Sequence, residues 1–234
     1  MIVFDQVTKM YGSKIALHPF TWNVRQGGIV GLIGENGSGK STILKLMCGL
    51  LKPSKGSVTL NSQTVTRRSA EKVAYLSELD AYYSGFTVSE TIDFFSTQFP
   101  DFDRQRAYDV LSFMNLDGGL KVKELSKGNR SRMRMAITLG RNVPYILLDE
   151  PFSGMDPMVR ESIIKGLLSF VDIDNQTIII TTHEIADIEP LLDEVIVLKK
   201  GKVIAREDVA TIHETTGMNI LDWFKKLNSY EEGK

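Results

Sequence analysis

Gly34-Glu35-Asn36-Gly37-Ser38-Gly39-Lys40-Ser41-Thr42 is the stretch that decides how this chain is read. It matches G-x-x-x-x-G-K-[ST], a phosphate-binding loop. Ahead of it, Ile29-Val30-Gly31-Leu32-Ile33 is a short apolar run of the kind a parallel strand buried on both faces presents. Behind it, Ile43, Leu44, Met47, Leu50 and Leu51 recur along one face of a helix. Strand, glycine-rich loop and helix are the setting the motif requires. Gly34, Gly37 and Gly39 tolerate positive φ and put no side chain between backbone N–H groups and a phosphate. Those N–H groups, with the positive end of the following helix, make an anion cradle. Lys40 is spaced to reach the β- and γ-phosphates of a nucleoside triphosphate, and the Ser41 hydroxyl to bind Mg²⁺. Glu35, Asn36, Ser38 and Thr42 complete the nucleotide-binding candidates of the loop.

The totals narrow the partners. At 234 residues the chain suits one large domain, or one domain with a subdomain, around a substantial core. A formal net charge of −1 argues against a nucleic acid or an anionic membrane surface as a bulk electrostatic partner. The single Cys48 rules out an internal disulfide, fits a reducing cytosol and reads as a small apolar residue. No basic leader opens the sequence, so no signal peptide is expected. No apolar run reaches the ~18 residues a bilayer span needs. A membrane role would therefore need another chain to supply the membrane part.

Outward from the loop, residues 2 to about 33 read as short strands, with Ile2, Phe4 and Val7 in partial alternation and Trp22 and Val24 in another. Lys9-Met10-Tyr11-Gly12 reads as a turn carrying an exposed tyrosine. Residues 51–56 read as a break, and 57–65 as a hairpin turning at Asn61-Ser62. Val73-Ala74-Tyr75-Leu76 is a further strand, ending in Ser77-Glu78. From about Phe86 the pattern becomes helical. Thr87-Val88-Ser89-Glu90 is a capping box with Thr87 or Ser89 as N-cap. Pro100-Asp101-Phe102-Asp103 caps a second helix through Met114, which Gly118-Gly119 ends. Leu125-Ser126-Lys127-Gly128-Asn129 opens a third, running to about Arg141. The aromatics here read as core of a helical subdomain. Beta character returns with Tyr145–Asp149, and Asp156-Pro157 caps a helix in the N-cap, N1-proline manner. Residues 178–182 and 195–198 are buried strands, and Lys199-Lys200-Gly201-Lys202 a solvated basic hairpin. The last 25 or so residues read as one amphipathic helix and a frayed tail. Strands and helices alternating about a phosphate loop mean an α/β core with a largely parallel sheet.

Asp149-Glu150 adds the chemistry. An aspartate at the end of an apolar strand holds Mg²⁺, and a carboxylate beside it can polarise a water for in-line attack on the γ-phosphate. His183, at the end of the Ile178–Thr182 run, could hydrogen-bond the γ-phosphate. His18 and His213 sit in polar turn and helical contexts and read as structural.

Taken in order, Tyr11, the 34–42 loop, Leu125–Asn129, Tyr145–Glu150, Ser153-Gly154-Met155-Asp156 and Thr182-His183-Glu184 resemble the ATP-binding subunit of ABC transporters, over essentially the whole chain. The resemblance implies a P-loop NTPase core with a mostly parallel sheet, an antiparallel β subdomain and an inserted α-helical subdomain. The core and β subdomain would span 1–85 and 141–215, the helical subdomain 86–140, and a C-terminal helix and tail 216–234. It implies that Tyr11 stacks on adenine, that Asp149 is the magnesium-side aspartate, and that Glu150 is the base, with Lys40 and His183 completing the catalytic set. Asp156 would communicate between two ATP sites. The cofactors implied are ATP and Mg²⁺.

Three positions depart from the family pattern. The signature carries Lys127 for the first glycine and Asn129 for glutamine, while Ser126 and Gly128 still offer a hydroxyl and open N–H groups to an anion. Phosphate recognition should survive, with the ribose-side contact weakened. Glu78 stands where the family has its Q-loop glutamine; it can approach Mg²⁺ but cannot donate as an amide does. Because the signature serves ATP on the opposite copy, the resemblance implies a head-to-tail pair of ATP-binding subunits, identical or not. It also implies a membrane-spanning permease, docking near residues 78–86, or else aromatics there that pack within the helical subdomain. Localisation would be cytoplasmic, on the inner face of the membrane, and no nucleic acid is expected. The Lys-Gly signature and Phe99–Asp103 look similar to bacterial exporters of the antibiotic and peptide efflux type. The alternative is a soluble ABC-type ATPase such as one for iron–sulfur assembly.

Overall fold

The computed structural model describes residues 1–77 and 82–232. The chain runs β1 (Ile2–Tyr11), β2 (Lys14–Asn23), β3 (Gly28–Ile33), α1 (Lys40–Met47), β4 (Lys55–Leu60), β5 (Gln63–Thr64) and β6 (Val73–Leu76). Helices α2 (Val88–Gln98), α3 (Arg104–Phe113) and α4 (Lys127–Leu139) follow before β7 (Tyr145–Asp149) and α5 (Pro157–Phe170). The rest is β8 (Thr177–Thr182), α6 (Ile185–Ile188), β9 (Glu194–Lys199), β10 (Lys202–Asp208), α7 (Val209–Thr216) and α8 (Ile220–Glu232).

Among the described residues the strands form two sheets. One is ordered β2-β1-β4-β5 and the other β10-β9-β3-β8-β7-β6. The first is antiparallel throughout. The second is parallel from β9 to β6, with β10 added antiparallel at one edge. The fold is therefore α/β, with a mostly parallel P-loop sheet, an antiparallel sheet and a helical layer inserted between β6 and β7. Its central strands are apolar without a break because both faces are covered. On β8, Ile178 and Ile180 face one core with Ile33, Leu148, Met133 and Ile163. Ile179 faces the other, with Leu32, Leu44, Phe4 and Trp22 between the two sheets.

The partial alternation of Ile2, Phe4 and Val7 comes from a bulge. Phe4 pairs with Trp22 but Val7 with Phe20, so β1 carries one extra residue. Gln6 takes it up at φ 45°, and all three apolar side chains still face inward, fully buried. The 57–65 hairpin turns at Asn61-Ser62, both at positive φ as a I′ turn needs. Its first strand starts earlier than the expected break allows, at Lys55.

Other boundaries also move. Tyr11 ends a strand rather than riding a turn, which falls at Gly12-Ser13. Thr87 and Glu90 form the reciprocal capping box of α2, and Asp103 caps α3. That helix stops at Phe113, where Asn115 takes φ 51°, short of Gly118-Gly119. The expected single C-terminal helix is α7 and α8, separated at Gly217, which is left-handed at φ 65°.

Candidate active site

The loop after β3 is shaped by what surrounds it. A Cβ on Gly34 would lie 2.2 Å from the Leu198 carbonyl oxygen, so only glycine lets the loop pass β9. Gly37, at φ 79°, has open space where a side chain would stand. Gly39 begins α1 at φ 114° without a side-chain cap, so no capping side chain claims the first-turn N–H groups of the helix. The buried Ser38 hydroxyl has no hydrogen-bond partner among the described residues. Free helix N–H groups and an orphaned hydroxyl are what a polyphosphate would satisfy. Around the loop lies a cavity of about 670 Å³, lined also by Tyr11, Lys14, Ile15, Glu150, Ser153, His183, Lys200 and Gly201. That volume suits a small-molecule ligand. Tyr11 is half exposed at the rim, with the Lys9 ammonium 5.2 Å from its ring centre.

The acidic strand end meets the loop inside. Asp149 is 3% exposed. Its Oδ1 accepts from Ser41 Oγ at 2.9 Å and from Thr181 Oγ1 at 2.9 Å, and its Oδ2 from the Tyr75 hydroxyl at 2.9 Å. Glu150 sits at φ 47°, uncommon for a non-glycine residue. Its N–H donates to Thr181 Oγ1 at 2.8 Å, which secures that conformation. One carboxylate oxygen lies 3.2 Å from Lys40 Nζ, and the other 2.9 Å from His183 Nδ1. Lys40 Nζ also donates to the Gly34 carbonyl at 2.7 Å. Loop lysine, carboxylate and histidine thus form one chain of charge-assisted contacts. The half-buried Ser41 hydroxyl and the buried Asp149 carboxylate at this end are hard oxygen donors. Among the described residues no group of His, Cys, Asp and Glu makes a closed metal cage. A donor set of this kind fits Mg²⁺ shared with substrate phosphates.

The signature residues stand apart from this cavity. Ser126 caps α4, its hydroxyl accepting from Asn129 N–H at 3.2 Å. Lys127 lines a second cavity, of about 230 Å³, which shares Glu150 and Ser153 with the first. Gly128 packs under Val159 of α5, where a Cβ would come within 3.2 Å of the side chain. Asp156 caps α5, accepting from Val159 N–H at 3.0 Å. Glu78 lies outside the described residues, as do residues 79–81 of the expected docking stretch.

The described part of that stretch packs its aromatics on the helical subdomain. Tyr83 packs on Phe86 and Phe94, and Tyr82 on Phe95. Tyr82, Phe95 and Phe99 also line a groove of about 280 Å³, with Cys48, Tyr75 and Arg141. Arg141 lies 3.8 Å from the centre of the Phe99 ring, pairs with Asp101 and donates to the Ala70 carbonyl at 2.7 Å, bracing this face. Burial pushes the Cys48 thiol up to about 11.

Tyr75 and Thr181, which hold Asp149, and Lys200 and Gly201, which wall the cavity, carry no motif in the sequence. A threonine closing an isoleucine run was the one available signal. The basic hairpin is exposed at Lys200 as expected, yet it reaches the cavity because Gly201 accepts from His18 N–H, clamping the turn over the loop. His213 is tied to Glu189 at 3.2 Å, away from the cavity.

Comparison with known proteins agrees with this geometry. The sequence profile of the ABC transporter family matches residues 17–153. An uncharacterized ABC transporter ATP-binding protein of Methanocaldococcus jannaschii is 32% identical, over 87% of this chain and 76% of its own. The Nod factor export ATP-binding protein I of Burkholderia orbicola is 32% identical over 94% and 75% respectively. Among solved structures, the dimeric post-hydrolysis state of an ATP-binding cassette bound to ADP and Pi superimposes with a TM-score of 0.78. It is 26% identical and covers 89% of this chain and 98% of that one. With its phosphate loop, acidic strand end and sheet order, this chain belongs to the ABC transporter family, as a nucleotide-binding subunit.

Proposed function

We propose that this subunit hydrolyses ATP and, by pairing with a second cassette around bound ATP, drives a membrane-spanning permease in the export direction. The observation that carries hydrolysis is Glu150, held between Lys40 and His183 at the mouth of the phosphate loop. The loop N–H groups and Lys40 bind the phosphates, and Tyr11 stacks on adenine at the rim. Glu150 accepts a proton from the attacking water while the γ-phosphoryl group passes to that water and ADP leaves. His183 orients Glu150 and donates toward the γ-phosphate. Ser41 and Asp149 would hold Mg²⁺, which neutralises charge on the β- and γ-phosphates; Glu78 is a further candidate for it.

The signature, Ser126 to Asn129, would serve ATP bound to the other copy. Its capped helix start gives it anion-binding capacity, and its separation from the chain's own loop cavity favours a role in trans. Asp156, heading α5 beside it, would carry the signal between sites. The core then comprises 1–85 and 141–215 and the helical subdomain 86–140, with the groove at their junction taking a permease segment. Among the described residues no helix is long and apolar enough to cross a membrane, so the membrane part falls to that partner and this subunit to its inner face. The Nod factor export relative supports the exporter reading.

Capture of the tagged protein from detergent-solubilised membranes tests it. A polytopic membrane protein should co-purify, and the complex should hydrolyse ATP. Recovery of a soluble scaffold in its place would contradict the transport reading.

A further inference from the structure

We propose that Tyr75 is a positioning residue that fixes the Asp149 carboxylate for its metal from the side of the groove. The proposal rests on the reading of Ser41 and Asp149 given above. β6 lies parallel to β7 with Tyr75 opposite Leu147. The phenol reaches forward along the neighbouring strand to Asp149 Oδ2. Oδ1 is held from elsewhere, by Ser41 of α1 and Thr181 of β8.

These partners are not equivalent. Ser41 is itself the expected metal ligand, so its bond to Asp149 must be shared with the ion. Thr181 is fully buried and already accepts from the Glu150 N–H. Tyr75 donates to Oδ2, and its bond stops the carboxylate turning about its last torsion, which is otherwise broad. It thereby keeps Oδ1 turned toward Ser41, the other candidate ligand. The Tyr75 ring meanwhile forms part of the groove wall with Cys48, Tyr82, Phe95 and Phe99. One side chain therefore touches both the junction groove and the carboxylate.

Tyr75→Phe keeps the ring and removes only the hydroxyl. The test measures ATP affinity of the full chain twice, with Mn²⁺ as the metal probe and with EDTA, alongside Mn²⁺ electron paramagnetic resonance. In the wild type Mn²⁺ should tighten ATP binding, and Asp149→Asn should abolish that gain. In Tyr75→Phe the Mn²⁺-dependent gain should fall roughly tenfold, the cost of losing a hydrogen bond to a charged group. Its affinity in EDTA should stay at the wild-type value and the Mn²⁺ spectrum should broaden. A purely structural role would lower both affinities together, and that result, or an unchanged Mn²⁺ gain, overturns the proposal. A wild-type chain whose ATP affinity ignores Mn²⁺ overturns the reading of the site itself, and the proposal with it.

Discussion

Glu150 shows how one position is made by several others. Its left-handed backbone costs on the order of 1 kcal/mol, which the Thr181 hydroxyl and the Lys40 and His183 contacts hold in place. The loop residues and the Asp149-Glu150 pair were legible in sequence because phosphate chemistry dictates their types at fixed local spacing. Tyr75 and Thr181 were not. Tyrosine and threonine are ordinary strand formers, and their contact with Asp149 exists only because β6, β7 and β8 lie side by side. Cys48 is buried, as a small apolar residue would be. With its thiol near 11, about one molecule in a thousand carries a thiolate at pH 8. Native protein should therefore react with a disulfide reagent roughly a hundredfold more slowly than protein unfolded in guanidinium. Equal rates would show that the wall of the groove is open.

Among elements, the helix starts were legible and several ends were not. Thr87, Asp103, Ser126 and Asp156 each carry a short acceptor side chain ahead of a periodic run, and each caps its helix. The ends fall at Asn115 and Gly217, which go left-handed as Asn and Gly commonly do past a helix end; neither lies at the break expected from Gly118-Gly119 or within a single C-terminal helix. A bulge at Gln6 hid the length of β1, because an extra residue breaks the period of two. Asp156 lets a structural role be separated from a signalling one. Asp156→Ala should lower unfolding stability by about 1 kcal/mol through the lost cap, while Asp156→Asn retains the cap and the stability. Denaturant melts of both variants decide this. If Asn nevertheless lowers ATPase cooperativity between sites, the carboxylate acts beyond capping; equal destabilisation by both would refute the cap.

At the scale of the molecule, the alternation of strands and helices announced an α/β core, but not the order β10-β9-β3-β8-β7-β6. That order follows from which crossovers pack, a non-local matter, and it brings Asp149, Thr181 and the loop together. The signature was legible as a motif, yet its place is understood only from the whole. Ser126 heads a capped helix outside the lining of the loop cavity, and Lys127 lines a second cavity that adjoins it at Glu150 and Ser153; under the proposed function a second copy would meet it there. Under the proposed function, closure of that pair would need ATP on both faces, a population shift toward the closed dimer that hydrolysis would reverse.

Light scattering on size-exclusion chromatography of the Glu150→Gln variant with saturating ATP and Mg²⁺ tests this most directly. The account predicts a dimer in ATP that returns to monomer in ADP, with steady-state hydrolysis abolished. A variant that stays monomeric in ATP, or that turns over at the wild-type rate, would contradict it.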